Sequence, residues 1–193
     1  SEASVIFRML FDRAVKEHLY ADVPVGTALS GGLDSSSIVC EVNRILKVNG
    51  TEELQKTFSS CSTDDRYSEK KWMDIVINHT NVEAYFVFPS LEEAIKLTPA
   101  ILWQHDEPYQ SQSAFLAFVL FQLAHQNGVK VLLNVQGADE YLGGYGQFTL
   151  ARYSNMVKEL RFSSLLAEIK NHNTSGTVTL QKLLMGITNH LLP

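Results

Sequence analysis

The sequence predicts an α/β fold, an open and doubly wound parallel sheet covered by helices. Short runs of β-branched and apolar residues alternate with segments in which apolar residues recur at helical spacing. No internal repeat interrupts this alternation. The 193 residues are 45% hydrophobic, which is enough to bury a core. A pair of glycines between the first predicted strand and the next helix is typical of folds that bind ligands at strand ends.

The predicted elements follow one another in a regular order. Apolar residues at helical spacing predict a first helix over Glu2–Tyr20, which ends before Pro24. The apolar run Val25–Leu29 predicts a strand, and helical period resumes over 35–48. The same unit then repeats, with strands predicted at 56–60 and 83–88 and a helix between them at 68–79.

Two helices are predicted between the third and fourth strands. Ser90 and Glu93 form a capping box that begins the first of them, and Ser113–Gln126 forms the second, which is closed by Gly128. Val129–Val135 is then predicted as a buried fourth strand. Phe115, Phe118 and Phe121 recur on the apolar helix before it and are expected in the core.

After Gly146 the pattern is helical only. We expect one helix over Leu150–Ile169, a polar break at Asn171–Gly176 and a further helix over Leu180–Leu192. The chain therefore divides into a sheet domain, residues 1–147, and the start of a helical extension, residues 148–193.

Composition excludes several classes of partner. The formal net charge of −5 disfavours sequence-independent binding of nucleic acid or of an anionic membrane. The longest apolar stretch, Ala114–Ala124, is shorter than the roughly 20 residues that span a bilayer. Cys40 and Cys61 do not make a disulfide scaffold, and no zinc-ligand spacing is present. With no leader pattern at the start, a cytoplasmic location is expected.

The strongest chemical signal is LSGGLDSSS, residues 29–37, between a predicted strand and a predicted helix. Gly31 and Gly32 allow the backbone to approach an anion closely, and Ser30 and Ser35 add hydroxyl donors. The helix N-terminus supplies free N–H groups and the positive end of a dipole. The segment is therefore predicted to bind phosphate, although a Gly-rich turn with a serine N-cap is the alternative.

Asp34 distinguishes this loop from a Walker loop, which carries a lysine for the β- and γ-phosphates. A carboxylate beside phosphates requires a bridging cation, and Mg²⁺ binds through one or two carboxylates together with phosphate oxygens. A second signal, GADEYLGGYGQF at residues 137–148, follows the fourth strand. If strands one and four are neighbours, Asp34 and Asp139 share Mg²⁺ in one crevice. The alternative is a solvated loop.

Four ordered motifs carry a family resemblance: VPVGTALSGGLDSSS, the TFS strand, HDEP at 105–108, and GVKVLLNVQGADEYLGGYGQF. Together, over residues 10–148, they resemble the synthetase domain of glutamine-hydrolysing asparagine synthetases, which belong to the ATP pyrophosphatases of the PP-loop superfamily. The resemblance implies an open sheet of the HUP type that uses ATP and Mg²⁺. It also implies that a carboxylate, first of all aspartate, is adenylated with release of pyrophosphate, and that ammonia then gives the amide.

The resemblance also implies roles for individual residues. Asp34 and Asp139 would hold Mg²⁺ and, with Gln136, make the catalytic set. Pyrophosphate would be held by Ser30, Gly31, Gly32, Asp34 and Ser35, and the rest of the nucleotide would be contacted by Leu29, Ser60, Asn134, Val135 and Gly137. An N-terminal glutaminase domain is expected in the full-length chain as the source of ammonia. Whether the protein forms a homodimer is left open.

Departures from the family pattern leave the acceptor open. Gln136 stands where SGEGADE has a glutamate, and a neutral amide cannot accept a proton from incoming ammonia. Ser60, Cys61 and Asp64 stand where a small, Gly-containing segment is usual, and Ser111 replaces the acidic residue that often follows DEP. Two alternatives follow: the same adenylation chemistry on a sugar acid or secondary metabolite, or a nucleotide-binding module without turnover.

Overall fold

A computed structural model describes residues 2–51, 54–109 and 111–173 of the chain. The chain divides into two compact units, Ser1–Val135 and Gln136–Pro193. Within the described residues, no helix has both the length and the apolar character needed to cross a bilayer.

The first unit contains a sheet of four parallel strands. They are β1 (Val25–Ala28), β2 (Lys56–Ser60), β3 (Glu83–Val87) and β4 (Val131–Leu133). Their order in the sheet is β3-β2-β1-β4, so that β1 lies between β2 and β4. In register, Thr27 lies beside Thr57 on one side and beside Leu133 on the other. The predicted fold class and the pairing of the first and fourth strands are therefore confirmed.

Helices cover both faces of this sheet. The first face carries α1 (Glu2–His18), α2 (Leu33–Val48) and α3 (Lys70–Thr80), and the second carries α4 (Leu91–His105) and α5 (Ser113–Gln126). The packing of Phe58, in β2, and of Cys61, directly after β2, shows how the helices divide between the two faces. Phe58 packs on Ala124 of α5, whereas Cys61 packs on Val39 of α2 and Met73 of α3. Side chains alternate along a strand, so Thr57 and Ser59 lie on the Cys61 side.

Helix α4 begins where the sequence predicts. The Ser90 hydroxyl accepts a hydrogen bond from the Glu93 N–H at 3.1 Å, and the Glu93 carboxylate accepts from the Ser90 N–H at 2.8 Å. The Ser90 N–H and hydroxyl hold the pKa of Glu93 below its usual range. The capping box is thus formed in both directions.

Charged side chains join α1 to α2. The Glu41 side chain is only 4% exposed, and it accepts hydrogen bonds from Arg8 of α1 at 2.8 Å and from Arg44 at 2.6 Å. Arg44 also pairs with Asp12 of α1. A buried carboxylate requires such partners, so this cluster determines how α1 lies on α2.

The described residues of the second unit are mainly helical. They form the short helix α6 (Ala138–Leu142), followed by α7 (Gly146–Lys158) and α8 (Phe162–Asn173). Helices α7 and α8 pack through a small core of Tyr153, Met156 and Leu165.

Several sequence predictions were wrong in detail. The segment 129–135 is not a buried strand throughout, because β4 has only three residues at the sheet edge and Val131 is 36% exposed. The predicted helix 150–169 is two helices, α7 and α8. The break comes at Leu160, whose φ of 57° is left-handed and whose N–H donates to the carbonyl oxygen of Val157 at 3.1 Å.

Of the remaining predictions, one was confirmed in part, one was wrong and two are not tested. Phe115 is buried, Phe118 is half-buried and Phe121 is 51% exposed, so only part of this aromatic row belongs to the core. The polar break does not begin at 171, since α8 continues to Asn173, and the helix predicted over 180–192 lies outside the described residues. The domain boundary at 147 stays a prediction.

Candidate functional site

The direction of chain winding changes between β1 and β4. The helices that follow β1 and β2 lie on one face, whereas α4 and α5, which precede β4, lie on the other. In open α/β sheets ligands bind beyond the strand carboxyl ends at such a switch point. Leu29 follows β1 at this point, and Asn134 and Val135 follow β4. Asn134 is exposed and Val135 is half-buried.

The loop after β1 is attached firmly to the sheet at its first residue. The Leu29 side chain is 2% exposed, and its N–H donates to the carbonyl oxygen of Phe58 at 2.9 Å. Its own carbonyl oxygen accepts from the Ser59 hydroxyl at 2.7 Å. Both backbone polar groups of Leu29 are therefore bound by β2.

Two serines close the loop onto α2. The Ser30 and Ser35 hydroxyl oxygens are 2.8 Å apart, and the Ser30 N–H donates to the Ser35 hydroxyl oxygen at 3.2 Å. The Gly32 N–H lies 3.4 Å from the Ser30 hydroxyl oxygen. These bonds bring the predicted donors of the loop together on one side of the turn.

Gly31 cannot be replaced by another residue without strain. Its φ of +85° is left-handed, and a Cβ built there would lie 3.1 Å from the Glu69 carbonyl oxygen and 3.1 Å from Cβ of Trp72. The first turn of α3 therefore packs directly behind the loop. Backbone can approach this closely only where no side chain intervenes.

The N-terminus of α2 has donors available for an anion. Gly32 is the N-cap residue and supplies no side-chain acceptor, so no N-cap side chain binds the first-turn N–H groups. Asp34 lies in this first turn and is half-buried. It forms no ion pair with any residue of the described ranges. The helix dipole and the free N–H groups favour a phosphate at this position.

β2 ends beside the loop. Ser60, its last residue, is half-buried, and Cys61 after it is buried with its thiol 3.7 Å from the Met73 sulfur. Burial raises the pKa of the Cys61 thiol, which opposes formation of the reactive thiolate. The position agrees with an inert cysteine.

The GADEYLGG segment forms a compact turn in the second unit. Gly137, with φ of 105°, is the N-cap residue of α6, and Asp139 lies in the first turn. Gly144 passes so close to the Asp139 carboxylate that a Cβ there would collide with Asp139 Oδ1. The Tyr145 hydroxyl donates to Glu140 Oε1 at 3.1 Å, and this bond raises the pKa of Tyr145.

One residue of the loop, Asp34, could hold Mg²⁺ together with phosphate oxygens. Among the described residues, no group of three or more His, Cys, Asp or Glu side chains could hold a metal. Mg²⁺ bound to phosphates needs only one or two protein carboxylates, and Asp34 stands in the same turn as the phosphate donors. Asp34 and Asp139 belong to different units, so their shared site stays a prediction.

Comparison with known proteins identifies the family of the chain. The asparagine synthase family model matches residues 7–191, nearly the whole chain. The chain belongs to the asparagine synthase family. This family membership confirms the resemblance inferred from the sequence motifs.

Individual relatives within the asparagine synthase family are moderately similar. Glutamine-hydrolysing asparagine synthetase 1 of Bacillus subtilis is 33% identical over 132 residues, which are 68% of this chain and 20% of the relative. Asparagine synthetase B of Escherichia coli is 25% identical over 170 residues, 83% of this chain and 30% of the relative. Amidase chry2 of Gibberella zeae is 28% identical over 149 residues, 70% of this chain and 22% of the relative. The chain spans about a quarter of the length of these relatives.

Some residues of this asparagine synthase family member were not singled out from the sequence. Ser59 lies within the TFS motif, but its contact with the Leu29 carbonyl oxygen depends on which face of β2 it occupies. The close approach of Gly144 to Asp139 was missed as well, although the repeated glycines of GGYG were the signal. Gln136 is exposed and stands at the start of the second unit.

The basic residues near α3 are engaged locally. Arg66 pairs with Asp64 at 2.6 Å and Lys70 with Asp74 at 2.7 Å. The Arg66 side chain is exposed and that of Lys70 is half-buried, and each cation is partly neutralised by its carboxylate partner. Their arrangement favours a solvated surface over a role in steering ATP.

Proposed function

We propose that this chain is the nucleotide-binding part of an ATP-dependent ligase that forms amides. Its carboxylate substrate is aspartate, and its nitrogen donor is ammonia released from glutamine by a glutaminase domain of the longer protein. The observation that carries the proposal is the loop after β1, where a left-handed glycine, two serine hydroxyls and an uncapped helix N-terminus lie together at the switch point. These groups are the usual ligands of a nucleotide phosphate.

Each residue of the loop has a distinct part in this proposal. The Ser30 and Ser35 hydroxyls, with the N–H groups of the first turn of α2, bind the β,γ-pyrophosphate. Leu29 and Ser60 contact the adenosine through their backbone. Asn134, Val135 and Gly137 line the rest of the nucleotide. Asp34 and Asp139 would hold Mg²⁺, which would supply positive charge that neutralises the phosphates.

The reaction needs charge stabilisation more than a strong base. A carboxylate oxygen of the substrate attacks the α-phosphorus of ATP, and the bond from that phosphorus to the bridging oxygen breaks, releasing pyrophosphate. The N–H groups of α2 stabilise the negative charge that develops on the leaving group. Ammonia then attacks the carbonyl carbon of the acyl-adenylate, AMP leaves with the bonding electron pair, and one proton is lost to solvent.

A second candidate function keeps adenylation but changes the carboxylate. Two observations favour it: Gln136 stands where the family pattern has a glutamate, and relatives of similar identity include proteins named amidases, from Gibberella zeae and Penicillium rubens. In this case a sugar acid or a secondary metabolite replaces aspartate. A nucleotide-binding module without turnover is the remaining alternative.

Exchange of labelled pyrophosphate into ATP tests the proposal in the full-length protein. Adenylation is reversible before ammonia arrives, so aspartate should stimulate exchange. Asp34→Asn should abolish it, whereas Asp22→Asn, the same change at the exposed amino end of β1, should not. Exchange with another carboxylate only would favour the second candidate. ATP binding without exchange for any carboxylate would favour the module without turnover.

A further inference from the structure

Two buried hydroxyls on β2 differ in whether they make a hydrogen bond. Thr57 and Ser59 are two residues apart on the same face of the strand, and they are 0% and 1% exposed. The Ser59 hydroxyl donates to the carbonyl oxygen of Leu29 at 2.7 Å. The Thr57 hydroxyl has no hydrogen-bond partner within the described part of the chain. The pair therefore separates the effect of the hydrogen bond from the effect of a buried hydroxyl.

The bond made by Ser59 acts on the peptide that leads into residues 30–35, the proposed phosphate-binding loop after β1, which we call the phosphate loop. The Leu29 carbonyl and the Ser30 N–H belong to one planar peptide group. Ser59 holds the oxygen of this group, and the Ser35 hydroxyl oxygen accepts from its N–H at 3.2 Å. Because both ends of a rigid plane are held, its orientation is fixed between β2 and α2.

The orientation of this peptide sets the position of the donors beyond it. The Ser30 Cα follows directly, so rotation of the plane would move the Ser30 hydroxyl and break its 2.8 Å contact with the Ser35 hydroxyl. That contact closes the loop at the first turn of α2. Displacement at Leu29 is therefore transmitted to both phosphate-binding serines.

We propose that Ser59 is a positioning residue for the phosphate loop. Its hydroxyl orients the Leu29–Ser30 peptide and thereby keeps the loop in the conformation that accepts pyrophosphate. Ser59 does not itself contact the substrate. The inference rests on the proposed binding of ATP by this loop.

The test compares Ser59→Ala with Thr57→Val in the full-length protein. Each removes one buried hydroxyl from the same face of β2, but only Ser59→Ala removes a hydrogen bond. Isothermal titration with Mg·ATP should show about tenfold weaker binding for Ser59→Ala and little change for Thr57→Val. In pyrophosphate exchange, the KM for ATP should rise in Ser59→Ala more than kcat falls. Backbone amides of residues 30–35 should exchange hydrogen faster in Ser59→Ala alone.

The outcomes are separable from those of the proposed function. If Ser59→Ala and Thr57→Val bind Mg·ATP equally well, or if the loop amides exchange equally in both, Ser59 has no positioning role. Lower thermal stability of Ser59→Ala with unchanged affinity would also overturn it, since a merely structural residue gives that result. If neither the wild type nor any variant binds Mg·ATP, the proposed function fails. Hydrogen exchange of the loop amides still decides in that case whether Ser59 orients the loop.

Discussion

Replacement of Gly31 by alanine tests the close packing of α3 behind the phosphate loop. The substitution adds a Cβ at a left-handed φ of +85° and places it 3.1 Å from the Glu69 carbonyl oxygen. Gly50 is a matched control, because its φ of +69° is also left-handed but a Cβ there would meet nothing within 4 Å. Gly50→Ala therefore measures the backbone strain alone.

The magnitudes follow from this difference. Left-handed strain for a residue with a Cβ is roughly 1–2 kcal/mol, and both variants share it. The loss of unfolded-state entropy on replacing glycine is also common to both. Forcing a methyl group against the first turn of α3 adds about 1–3 kcal/mol for Gly31→Ala only. The free energy of unfolding of Gly31→Ala should thus be about 1–3 kcal/mol lower than that of Gly50→Ala.

Urea denaturation followed by circular dichroism gives the two free energies of unfolding, and the slopes should be unchanged. Titration with Mg·ATP should show lost binding for Gly31→Ala and normal binding for Gly50→Ala. Equal free energies of unfolding for the two variants, within about 0.5 kcal/mol, would refute the packing argument.

Three further predictions concern other parts of the chain. Gly144→Ala should displace the Asp139 carboxylate and raise the Mg²⁺ concentration needed for pyrophosphate exchange; an unchanged requirement would separate Asp139 from the metal. Glu41→Ala should lower the free energy of unfolding by about 1–3 kcal/mol, since the hydrogen bonds from Arg8 and Arg44 to a buried carboxylate are lost, whereas Glu17→Ala on the exposed side of α1 should change it by less than about 0.5 kcal/mol in urea titrations. Iodoacetamide should alkylate Cys61 slowly at neutral pH and faster as pH rises, because its pKa is raised by burial; rapid modification in the native protein would contradict this.

The sequence predicted the sheet well because its signals are local. The Ser90 and Glu93 pair fixed the start of α4, and β-branched runs located β1, β2 and β3 within a residue or two. β4 was harder to bound, since the apolar run around it continues beyond the three residues that pair with β1.

The helix end at Leu160, where no glycine is present, was missed. Leu160 adopts the left-handed conformation that usually belongs to glycine, and the Arg161 N–H donates to the carbonyl oxygen of Met156 at 2.8 Å. A leucine in the sequence does not indicate that a helix ends there. Phe121 was misplaced for a related reason, because a helix that is apolar on most sides does not reveal which side faces the sheet.

The sequence indicated which residues make up the candidate site but not how the fold supports them. Residues 29–35 were predicted as a phosphate-binding turn because glycines and hydroxyls there precede a helix, and phosphate binding by this turn stays a prediction. The role of Ser59 depends on strand register, which pairs β2 with β1 across about 30 residues of chain. Register is a tertiary property, so a single sequence indicates the serine without its partner.

The strand order also has a consequence for folding. β1 pairs with β2 and β2 with β3 after connections of about 20 to 30 residues, but β1 meets β4 only after about a hundred residues have been closed into a loop. This pairing is therefore the one with the largest entropic cost in the sheet, and it is made by the shortest strand. The pairing of β1 with β4 lies at the switch point, beside the phosphate loop. It is therefore the strand pairing that a refolding chain should form most slowly.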